Sequence, residues 1–400
     1  MAVTKITIEE FLLLAKNHPV LDVRSPAEYA HAHIPGAISL PLFNDEERAK
    51  VGTTYKQQNR ENAIKIGLDF FGPNMRGIVE KVEGVVGSGE WGVASGKLEV
   101  ASGKRLVGSG QKAKGERKWA KSNESFEKDL NVEDSNCQLP IDNCVILHCW
   151  RGGMRSAAVA WLLDLYGFKV YTLIGGYKTY RNWALSQFTK EYNFKIIGGY
   201  TGSGKTLLLH ALAKENNKII DLEGLANHKG SALGALGNPP QPTQEMFENL
   251  LAEKLSTDNH QPLTTIFLED ESQRIGNLQI PMPLWYCMRK APVYFVDIPF
   301  EERLNYLTDE YGVHEKTGLV NAIMRIQKRL GGLETRNAIN FLLENNFKES
   351  FRILLHYYDK WYAKGLYKRE NAEELIINIA CEKVDTERNV GLITSMESKL

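Results

Sequence analysis

The stretch that decides the fold of the second half of the chain is Phe194-Lys195-Ile196-Ile197-Gly198-Gly199-Tyr200-Thr201-Gly202-Ser203-Gly204-Lys205-Thr206. An apolar run enters a loop with the spacing G-x4-G-K-T, which is the P-loop pattern in the strand–loop–helix context that it requires. Backbone N–H groups of such a loop cradle a diphosphate, Lys205 neutralises its charge, and Thr206 reaches a Mg²⁺ ion where one binds. The pattern leaves open whether the diphosphate belongs to ATP, GTP or another compound.

Strand and helix patterns alternate beyond this loop, with strands at 218–221, 265–268 and 293–296. Such alternation predicts a parallel sheet covered by helices, and from about residue 318 the pattern is mostly helical. Acidic residues end two of the strands at the sheet edge where the P-loop should lie. We therefore predict that the phosphate ligand is bound by Gly199, Thr201, Gly202, Ser203, Gly204, Lys205, Thr206, Asp221, Glu269 and Asp270.

A second candidate anion-binding loop is Cys149-Trp150-Arg151-Gly152-Gly153-Met154-Arg155-Ser156, which follows the apolar run 145–148. A thiol between a buried strand and a helix is favoured as thiolate by loop N–H groups, and Arg151 and Arg155 add positive charge. In one role, Cys149 carries a terminal sulfur or selenium. In the other, Cys-x5-Arg attacks a phosphate ester that Arg155 clamps. Trp150 either stacks on a base or seals the loop.

The composition bounds the classes of function. The chain has 400 residues, so we expect at least two domains. Its 49 basic and 49 acidic side chains balance, which excludes a protein-wide positive field, and RNA binding would need a local patch. Candidate phosphate contacts on the later elements are Arg274, Arg289, Lys290, Arg303, Arg325, Lys328 and Arg329.

The cysteines and the hydropathy of the chain indicate the cellular compartment of the protein. The five cysteines include no CxxC pair, which is typical of the reducing cytoplasm and predicts neither a disulfide framework nor a metal site. No apolar run reaches the roughly 18 residues that span a bilayer. We predict a cytoplasmic protein that does not bind membranes.

The domain boundaries follow from breaks in the pattern. We predict a first domain over 1–185, a second over 190–382, and a polar, frayed tail over 383–400. Within the first domain, residues 45 to about 68 have a helical pattern. Val86, Val93, Val100 and Val107 each begin V-[GA]-S-G, and this low-complexity repeat marks 85–138 as a flexible insertion.

The first domain resembles rhodanese domains. The resemblance lies in Leu21-Asp22-Val23-Arg24-Ser25-Pro26-Ala27-Glu28-Tyr29 and His33-Ile34-Pro35-Gly36-Ala37-Ile38, and it implies sulfur-transfer chemistry at the loop cysteine. We expect Asp22 and Arg24 to form a structural ion pair. The loop from Cys149 to Arg155 has seven residues, where most sulfur-transfer members have six and the phosphatase branch has seven. Loop length alone therefore favours a phosphatase.

Taken together with Asp221-Leu222-Glu223-Gly224-Leu225-Ala226-Asn227-His228-Lys229-Gly230-Ser231 and Glu269-Asp270-Glu271-Ser272, these motifs resemble the bacterial tRNA 2-selenouridine synthase family. The resemblance implies an α/β protein in which a rhodanese-like parallel-sheet domain precedes a P-loop NTPase-like domain with a helical C-terminal part.

The resemblance also implies a transferase that converts wobble 2-thiouridine of tRNA to 2-selenouridine through an S-geranyl intermediate. Its co-substrates are selenophosphate and geranyl diphosphate, with no tightly bound cofactor, and we expect a monomer. The catalytic residues would be Cys149, Arg151 and Arg155. Leu225, Ala226, Leu233 and Leu236 would either accept the prenyl chain or pack in the core. The alternative is a Cys-x5-Arg phosphatase fused to a P-loop kinase-like domain.

Overall fold

The computed structural model describes residues 3–88, 143–256 and 264–397. Two parallel five-stranded sheets, one in each half of the chain, organise these residues, and a small two-stranded antiparallel sheet accompanies the second. The two parallel sheets with helices between their strands confirm the predicted α/β class. Within the described residues, no helix combines the length and the apolar character that crossing a membrane requires.

The first half alternates short strands with helices. Its strands are β1 Thr4–Ile6, β2 Val20–Asp22, β3 Ile38–Ser39, β4 Cys144–His148 and β5 Lys169–Leu173. Its helices are α1 Ile8–Leu14, α2 Pro26–His31, α3 Asp45–Gln57, α4 Arg60–Ser88, α5 Met154–Tyr166 and α6 Gly176–Gln187. The strand order is β1-β5-β4-β2-β3, with every pair parallel.

Capping residues define where the early helices begin. Three glutamate carboxylates each accept a hydrogen bond from the backbone N–H of the capping residue three positions earlier, namely Glu10, Glu28 and Glu47. This reciprocal arrangement satisfies N–H groups that a helix start leaves without partners. Buried β4 lies at the centre of the sheet, so the loop that follows it emerges at the carboxyl edge.

The second half contains the larger domain. Its strands are β6 Asn193–Gly198, β7 Lys218–Ile220, β8 Thr265–Glu269, β9 Arg274–Ile275, β10 Leu278–Gln279, β11 Val293–Asp297 and β12 Ile376–Ala380. Its helices are α7 Lys205–Lys214, α8 Leu222–Leu225, α9 Gln244–Ser256, α10 Met282–Lys290, α11 Phe300–Tyr311, α12 Lys316–Leu330, α13 Gly332–Leu343, α14 Phe347–Leu366, α15 Ala372–Leu375 and α16 Thr386–Glu397.

The second sheet has the order β12-β11-β6-β8-β7 and is parallel throughout. Its central strand β6 leads into the P-loop, as the sequence predicts. Strand β12 was not expected, because the chain beyond residue 318 has a mostly helical pattern. Its five residues pair in register with β11, from Val293 with Ile376 to Asp297 with Ala380.

The two halves join through helices α6 and α9. Tyr177 donates a hydrogen bond to Glu245 over 2.7 Å, and Asn249 donates to the backbone oxygen of His33 over 2.9 Å. Arg181 forms an ion pair with Glu248. One hydrophobic cluster contains side chains from both halves, including Phe11, Tyr180, Phe247 and Leu251. The domains therefore share a continuous apolar core at their interface.

Two helix boundaries differ from the prediction. The helix predicted over 45–68 is two helices, α3 and α4, because the backbone leaves the helical region at Gln58. Helix α4 then extends to Ser88, so the predicted insertion, with its start at 85, begins too early: Val85 to Ser88 are helical. The rest of the insertion and of its repeat, from 89 to 138, lies outside the described residues.

The prediction of a frayed tail over 383–400 is wrong for residues 386–397, which form helix α16. Asp385 accepts a hydrogen bond from the backbone N–H of Arg388 and so caps the helix start. Val390 and Ile393 are buried against Leu208 and Leu212 of α7. Leu392 and Met396 pack against the same cluster, so an apolar face docks a segment that is polar on average.

We expect that Ile393→Ala lowers the free energy of unfolding by about 3 kcal/mol, because it removes a fully buried side chain and leaves a cavity. Urea denaturation of the full chain measures this change. The matched control is Leu343→Ala, since Leu343 is 61% exposed, and its effect should stay within about 0.5 kcal/mol. Equal effects of the two substitutions would contradict the docking of α16.

Candidate functional site

Cys149 lies where β4 ends and the loop toward α5 begins. The residue is buried, and its Sγ lies 3.4 Å from the hydroxyl oxygen of Ser156 in the first turn of α5. Ser156 in turn donates a hydrogen bond to the backbone oxygen of Gly153 over 3.1 Å. Among the described residues, the backbone N–H groups of Arg151, Gly152 and Gly153 have no hydrogen-bond acceptor. The loop thus offers unpaired donors beside a sulfur, as an anion-binding loop requires.

The Cys149 loop rests on the turn that opens helix α6. The backbone N–H of Tyr177 donates to the Cys149 oxygen over 2.8 Å, and that of Lys178 donates to the Trp150 oxygen over 3.0 Å. Gly176 has φ +60°, and a Cβ there would overlap the Cys149 oxygen and the Gly152 nitrogen. Only glycine permits this approach of two backbones, which fixes the shape of the loop.

Arg155 is not free to bind a phosphate group, although the phosphatase alternative requires this. Its guanidinium binds the Glu28 carboxylate, with an Nη1–Oε2 distance of 2.5 Å. Burial opposes ionisation of Glu28, but the hydrogen bond and charge of Arg155 prevail and lower its pKa to about 2. Arg151 is exposed and lines the cavity beside the thiol. Arg155 therefore connects helix α2 to the loop, and Arg151 remains the available cation.

The expected ion pair of Asp22 and Arg24 is confirmed. Both side chains are fully buried, and Arg24 donates to both Asp22 carboxylate oxygens and, over 2.7 Å, to the backbone oxygen of Ala32. The guanidinium also lies 3.9 Å from the ring centroid of Tyr177. The buried ring of His148 lies beside the same carboxylate, and burial lowers the pKa of His148.

An apolar cavity of about 550 Å³ opens beside Cys149. Helices α3 and α4 form one wall and the start of α5 the other, and several of the apolar side chains are unusually exposed, namely Tyr55, Ile64, Leu68, Trp150 and Met154. Trp150 lies tilted on Tyr177, with ring centroids 5.6 Å apart, so one face seals the loop while the rest of the ring borders the cavity. Arg48 and Arg151 add positive charge to the wall.

The P-loop has the backbone that its glycines predict. Gly199, Gly202 and Gly204 all have positive φ, and helix α7 begins at Lys205. Lys205 Nζ donates to the Gly199 oxygen over 3.1 Å and lies 5.6 Å from the ring centroid of Tyr362. Seven of the predicted residues line one cavity of about 550 Å³, namely Thr201, Gly202, Ser203, Gly204, Lys205, Thr206 and Asp270.

The predicted acids take different positions. Asp270 lines the P-loop cavity, but its carboxylate is held by Arg369, over 2.6 Å, and by the Tyr362 hydroxyl, over 2.7 Å. Asp221 pairs with His210 instead, and Glu269 is fully buried beneath the site and receives the backbone N–H of Leu222. Neither Asp221 nor Glu269 lines the cavity.

Three other carboxyl groups border the P-loop cavity, those of Glu223, Glu271 and Glu310. The first two belong to the strand-end acids that the sequence predicts at this sheet edge, and Glu310 pairs with Lys229. Glu223 accepts a hydrogen bond from the Thr206 hydroxyl over 2.9 Å, and Glu271 lies beside it. Burial, together with the nearby Glu223 charge, raises the pKa of Glu271 well above its usual value. The acidic side of the cavity is therefore kept partly neutral, which limits its repulsion of an anionic ligand.

Helices α11 and α14 give the P-loop cavity an aromatic wall that the sequence analysis missed. Its members are Tyr306, Tyr311, Tyr357, Tyr358, Trp361 and Tyr362. Tyr362 also receives a hydrogen bond from the Gly199 N–H over 3.0 Å. The helical pattern indicated only that these positions lie on helices. Whether these side chains face the P-loop depends on how α11 and α14 pack across the sheet. The spacing of residues within a helix does not determine that packing.

Burial decides the role of one candidate RNA contact and of the four candidate prenyl-binding residues. Arg303, a candidate RNA contact, is buried and pairs with Asp359 while donating to the Thr201 oxygen, so it supports the P-loop from below. Ala226 and Leu233 are buried, and Leu225 and Leu236 pack against core clusters, which favours ordinary packing over a prenyl site. In the described part of the chain, no group of three or more His, Cys, Asp or Glu is arranged to hold a metal.

The two cavities are separate. Of the described residues, those between 42 and 158 line the Cys149 cavity, and those between 201 and 362 line the P-loop cavity. Each opens at the carboxyl edge of its own sheet, as expected for ligand sites in parallel sheets. One is apolar with a thiol at its edge, and the other combines a phosphate loop with an aromatic wall.

Two family descriptions match the chain. The tRNA 2-selenouridine synthase AAA domain matches residues 192–384, and the rhodanese-like domain matches residues 7–66. A tRNA 2-selenouridine synthase from Sulfurovum sp. (strain NBC37-1) is 31% identical, with 91% of this chain and 94% of that protein covered. The enzyme of the same name from Shewanella frigidimarina (strain NCIMB 400) is 30% identical, with coverages of 91% and 92%. These matches confirm the predicted order of a rhodanese-like and a P-loop domain.

The Glu28–Arg155 pair predicts an acid-dependent stability. The pKa of Glu28 is about 2 in the folded chain, against an ordinary 4.5. A lowered folded-state pKa contributes stability that is present above pH 4.5 and is lost as pH falls toward 2. We expect the wild-type protein to exceed Glu28→Gln in unfolding free energy by about 2 kcal/mol at pH 6, and this difference to shrink below pH 4.5.

Urea denaturation across this pH range measures the difference. Glu80→Gln is the control, because Glu80 pairs with Arg76 on an exposed helix surface, where such pairs contribute little. A difference between wild type and Glu28→Gln that does not change with pH would contradict the assignment.

Proposed function

The chain belongs to the tRNA 2-selenouridine synthase family, and we propose that its two sites act in turn on the wobble 2-thiouridine of tRNA. It is a tRNA-modifying transferase. The observation that carries the proposal is the pair of separate cavities, one at a phosphate-binding loop and the other at a thiol. We assign geranyl transfer to the P-loop cavity and selenium transfer to the Cys149 cavity.

In the first step, the uridine sulfur bonds to the first carbon of geranyl diphosphate. The carbon–oxygen bond breaks, the diphosphate leaves with its electron pair, and the base loses its N3 proton. Lys205 and the loop N–H groups bind the negative charge that develops on the leaving group, which favours its departure. Tyr306, Tyr311 and Trp361 provide an extended aromatic surface against which a prenyl chain can lie.

A Mg²⁺ ion fits this site, since magnesium prefers a few protein oxygens together with phosphate oxygens and water. Thr206 and Glu223, already 2.9 Å apart, would hold it. When bound, the ion adds positive charge to the diphosphate. Arg329 and Lys229, which also border the cavity, contribute charge from the protein itself.

In the second step, the selenium of selenophosphate bonds to C2 of the base, and the geranylthio group leaves with the electrons of the C2–S bond and takes up a proton. Water then breaks the selenium–phosphorus bond, which releases phosphate and leaves the selenium on the base. Alkylation makes the first departure favourable, because thiocarbonyl sulfur is a poor leaving group and a neutral thiol is a good one. We place selenophosphate beside Cys149, with Arg151 and the unpaired loop N–H groups binding the donor anion. The adjacent apolar cavity accommodates the prenyl chain.

The alternative, a Cys-x5-Arg phosphatase fused to a kinase-like domain, rests on the seven-residue loop. The engagement of Arg155 by Glu28 argues against it, because that chemistry needs Arg155 on the phosphate. Such an enzyme would hydrolyse an aryl phosphate through Cys149 and would consume ATP with an acceptor.

Because one chain carries both cavities and the substrate is tRNA, we propose a monomer that acts in the cytoplasm without a tightly bound cofactor.

We expect Cys149→Ser to keep geranylation and to lower selenation by more than about 1,000-fold, the scale of losing a catalytic group beside the reacting atoms. Purified protein, thiolated tRNA, geranyl diphosphate and selenophosphate are combined, and mass spectrometry of the nucleosides gives both products. Cys287→Ser is the control, since Cys287 lies on α10 away from both cavities. Retained selenation with lost geranylation would reverse the assignment of the sites.

We expect Lys205→Ala to lower geranylation about 100-fold, because the charge on the departing diphosphate loses its cation. The variant should still convert S-geranyl tRNA, supplied directly, to the selenated product. Lys214→Ala, on the exposed last turn of the same helix, should behave as wild type in both reactions. If wild-type protein forms neither product in this assay, the proposed function is wrong.

A further inference from the structure

A third cavity lies beside the P-loop cavity and shares part of its wall, but its residues on α10 take no part in the steps assigned above. It has a volume of about 790 Å³ and lies between α10 and the end of α14. We call it the aromatic groove and define it by Trp285, Tyr286, Arg289, Lys290, Trp361 and Lys368. We propose that the aromatic groove binds unpaired bases and phosphates of the RNA substrate next to the P-loop site.

The groove presents aromatic faces to solvent. Tyr286 is 55% exposed and Trp361 is 47% exposed, although burial of such rings is strongly favourable. Proteins that bind single-stranded RNA use exposed rings of this kind as platforms on which unpaired bases stack. Two rings from different helices, on one groove, allow consecutive bases to be held.

Cations accompany the rings. The Arg289 guanidinium lies 5.6 Å from the ring centroid of Trp285, and Lys364 Nζ lies 5.2 Å from that of Trp361. Lys290 and Lys368 line the groove directly. Three acids also line the wall: Asp270 is paired with Arg369, burial with neighbouring acids raises the pKa of Glu271, and Glu370 is exposed beside Lys368. The cations Arg289, Lys290 and Lys368 leave the wall with an excess of positive charge over its unpaired acids. The groove therefore complements a phosphate backbone, although the chain as a whole is neutral.

Two side chains of the groove wall carry buried donors without acceptors. Arg369 is almost fully buried, and its Nε has no hydrogen-bond partner among the described residues. The buried Nε1 of Trp285 likewise lacks an acceptor within the part of the chain that the structure describes. Buried donors without acceptors are rare because they lose their hydration without compensation.

The location of the groove fits the RNA substrate. Asp270, Glu271, Ser272, Trp361 and Tyr362 line both the aromatic groove and the P-loop cavity. A strand lying in the groove would thus place an adjacent base at the site of the diphosphate. The inference rests on the proposed function in one respect only: it takes a base of the RNA as the group that is alkylated at the P-loop site.

The test measures binding of a fluorescent anticodon stem-loop RNA with 2-thiouridine at the wobble position to the full chain, without geranyl diphosphate or selenophosphate. We expect Tyr286→Ala and Trp361→Ala each to weaken binding about ten-fold or more, as loss of a stacked base does. Tyr286→Phe, which keeps the ring, should bind as wild type. The matched control is Trp161→Ala, because Trp161 is an exposed tryptophan of α5 that lines neither cavity of the second domain.

Salt dependence separates a phosphate contact from a structural effect. Lys290→Ala and Lys368→Ala should each reduce the slope of log Kd against log salt concentration by about one. Calorimetry with inorganic diphosphate should give wild-type affinity for Tyr286→Ala, because Tyr286 does not line the P-loop cavity.

Wild-type RNA affinity and salt slope in the Tyr286, Lys290 and Lys368 variants would overturn the proposal, and so would a parallel loss of diphosphate binding in Tyr286→Ala. Because the assay contains neither co-substrate, its result stands even if wild-type protein fails to geranylate tRNA. Failure of the groove and failure of the proposed function are therefore distinguishable.

Discussion

The arrangement of this protein depends on one residue, Tyr177. Its backbone N–H holds the Cys149 oxygen, its ring lies 3.9 Å from the Arg24 guanidinium, and its hydroxyl bonds Glu245 of the second domain. The same side chain therefore fixes the thiol loop, covers the buried ion pair of the first domain and anchors the domain interface. A buried phenol with its hydroxyl fully engaged tolerates little displacement, since each shift would cost both packing and hydrogen bonds.

The two chemically distinct steps that we propose would explain why the cavities differ. A diphosphate leaving group needs donors and cations, which the P-loop and Lys205 supply, whereas exchange at a neutral alkylated base needs a dry surface and a polarisable nucleophile. The Cys149 cavity has an apolar wall bordered by the cations Arg48, Lys56 and Arg151. In this proposal, separation of the cavities keeps the two anionic co-substrates apart, so that neither competes for the binding loop of the other. The proposal also requires the RNA to move from one sheet edge to the other between the steps.

Much of both loops was predictable from sequence, because their chemistry is encoded over a few consecutive residues. The G-x4-G-K-T spacing and the Cys149 loop each identify a strand end and a helix start, and Asp22 and Arg24 are close enough in sequence to be recognised as a pair. The engagement of Arg155 by Glu28 was not predictable, since 127 residues separate them. The same is true of Tyr362 and Arg369 around Asp270, and of the aromatic wall. Their roles arise from how distant helices cross the second sheet.

The C-terminal position of β12 and α16 has a consequence for how the protein is made. Strand β12 closes one edge of the second sheet, and α16 covers the helix that follows the P-loop. Both are translated after all the other strands of the second sheet, whereas the rhodanese-like domain is complete much earlier. The first domain can therefore fold during translation while the second waits, with an open sheet edge and an uncovered apolar helix, until β12 and α16 have been translated. A message cut short before β12 would yield a chain with an intact thiol loop and an incomplete phosphate site.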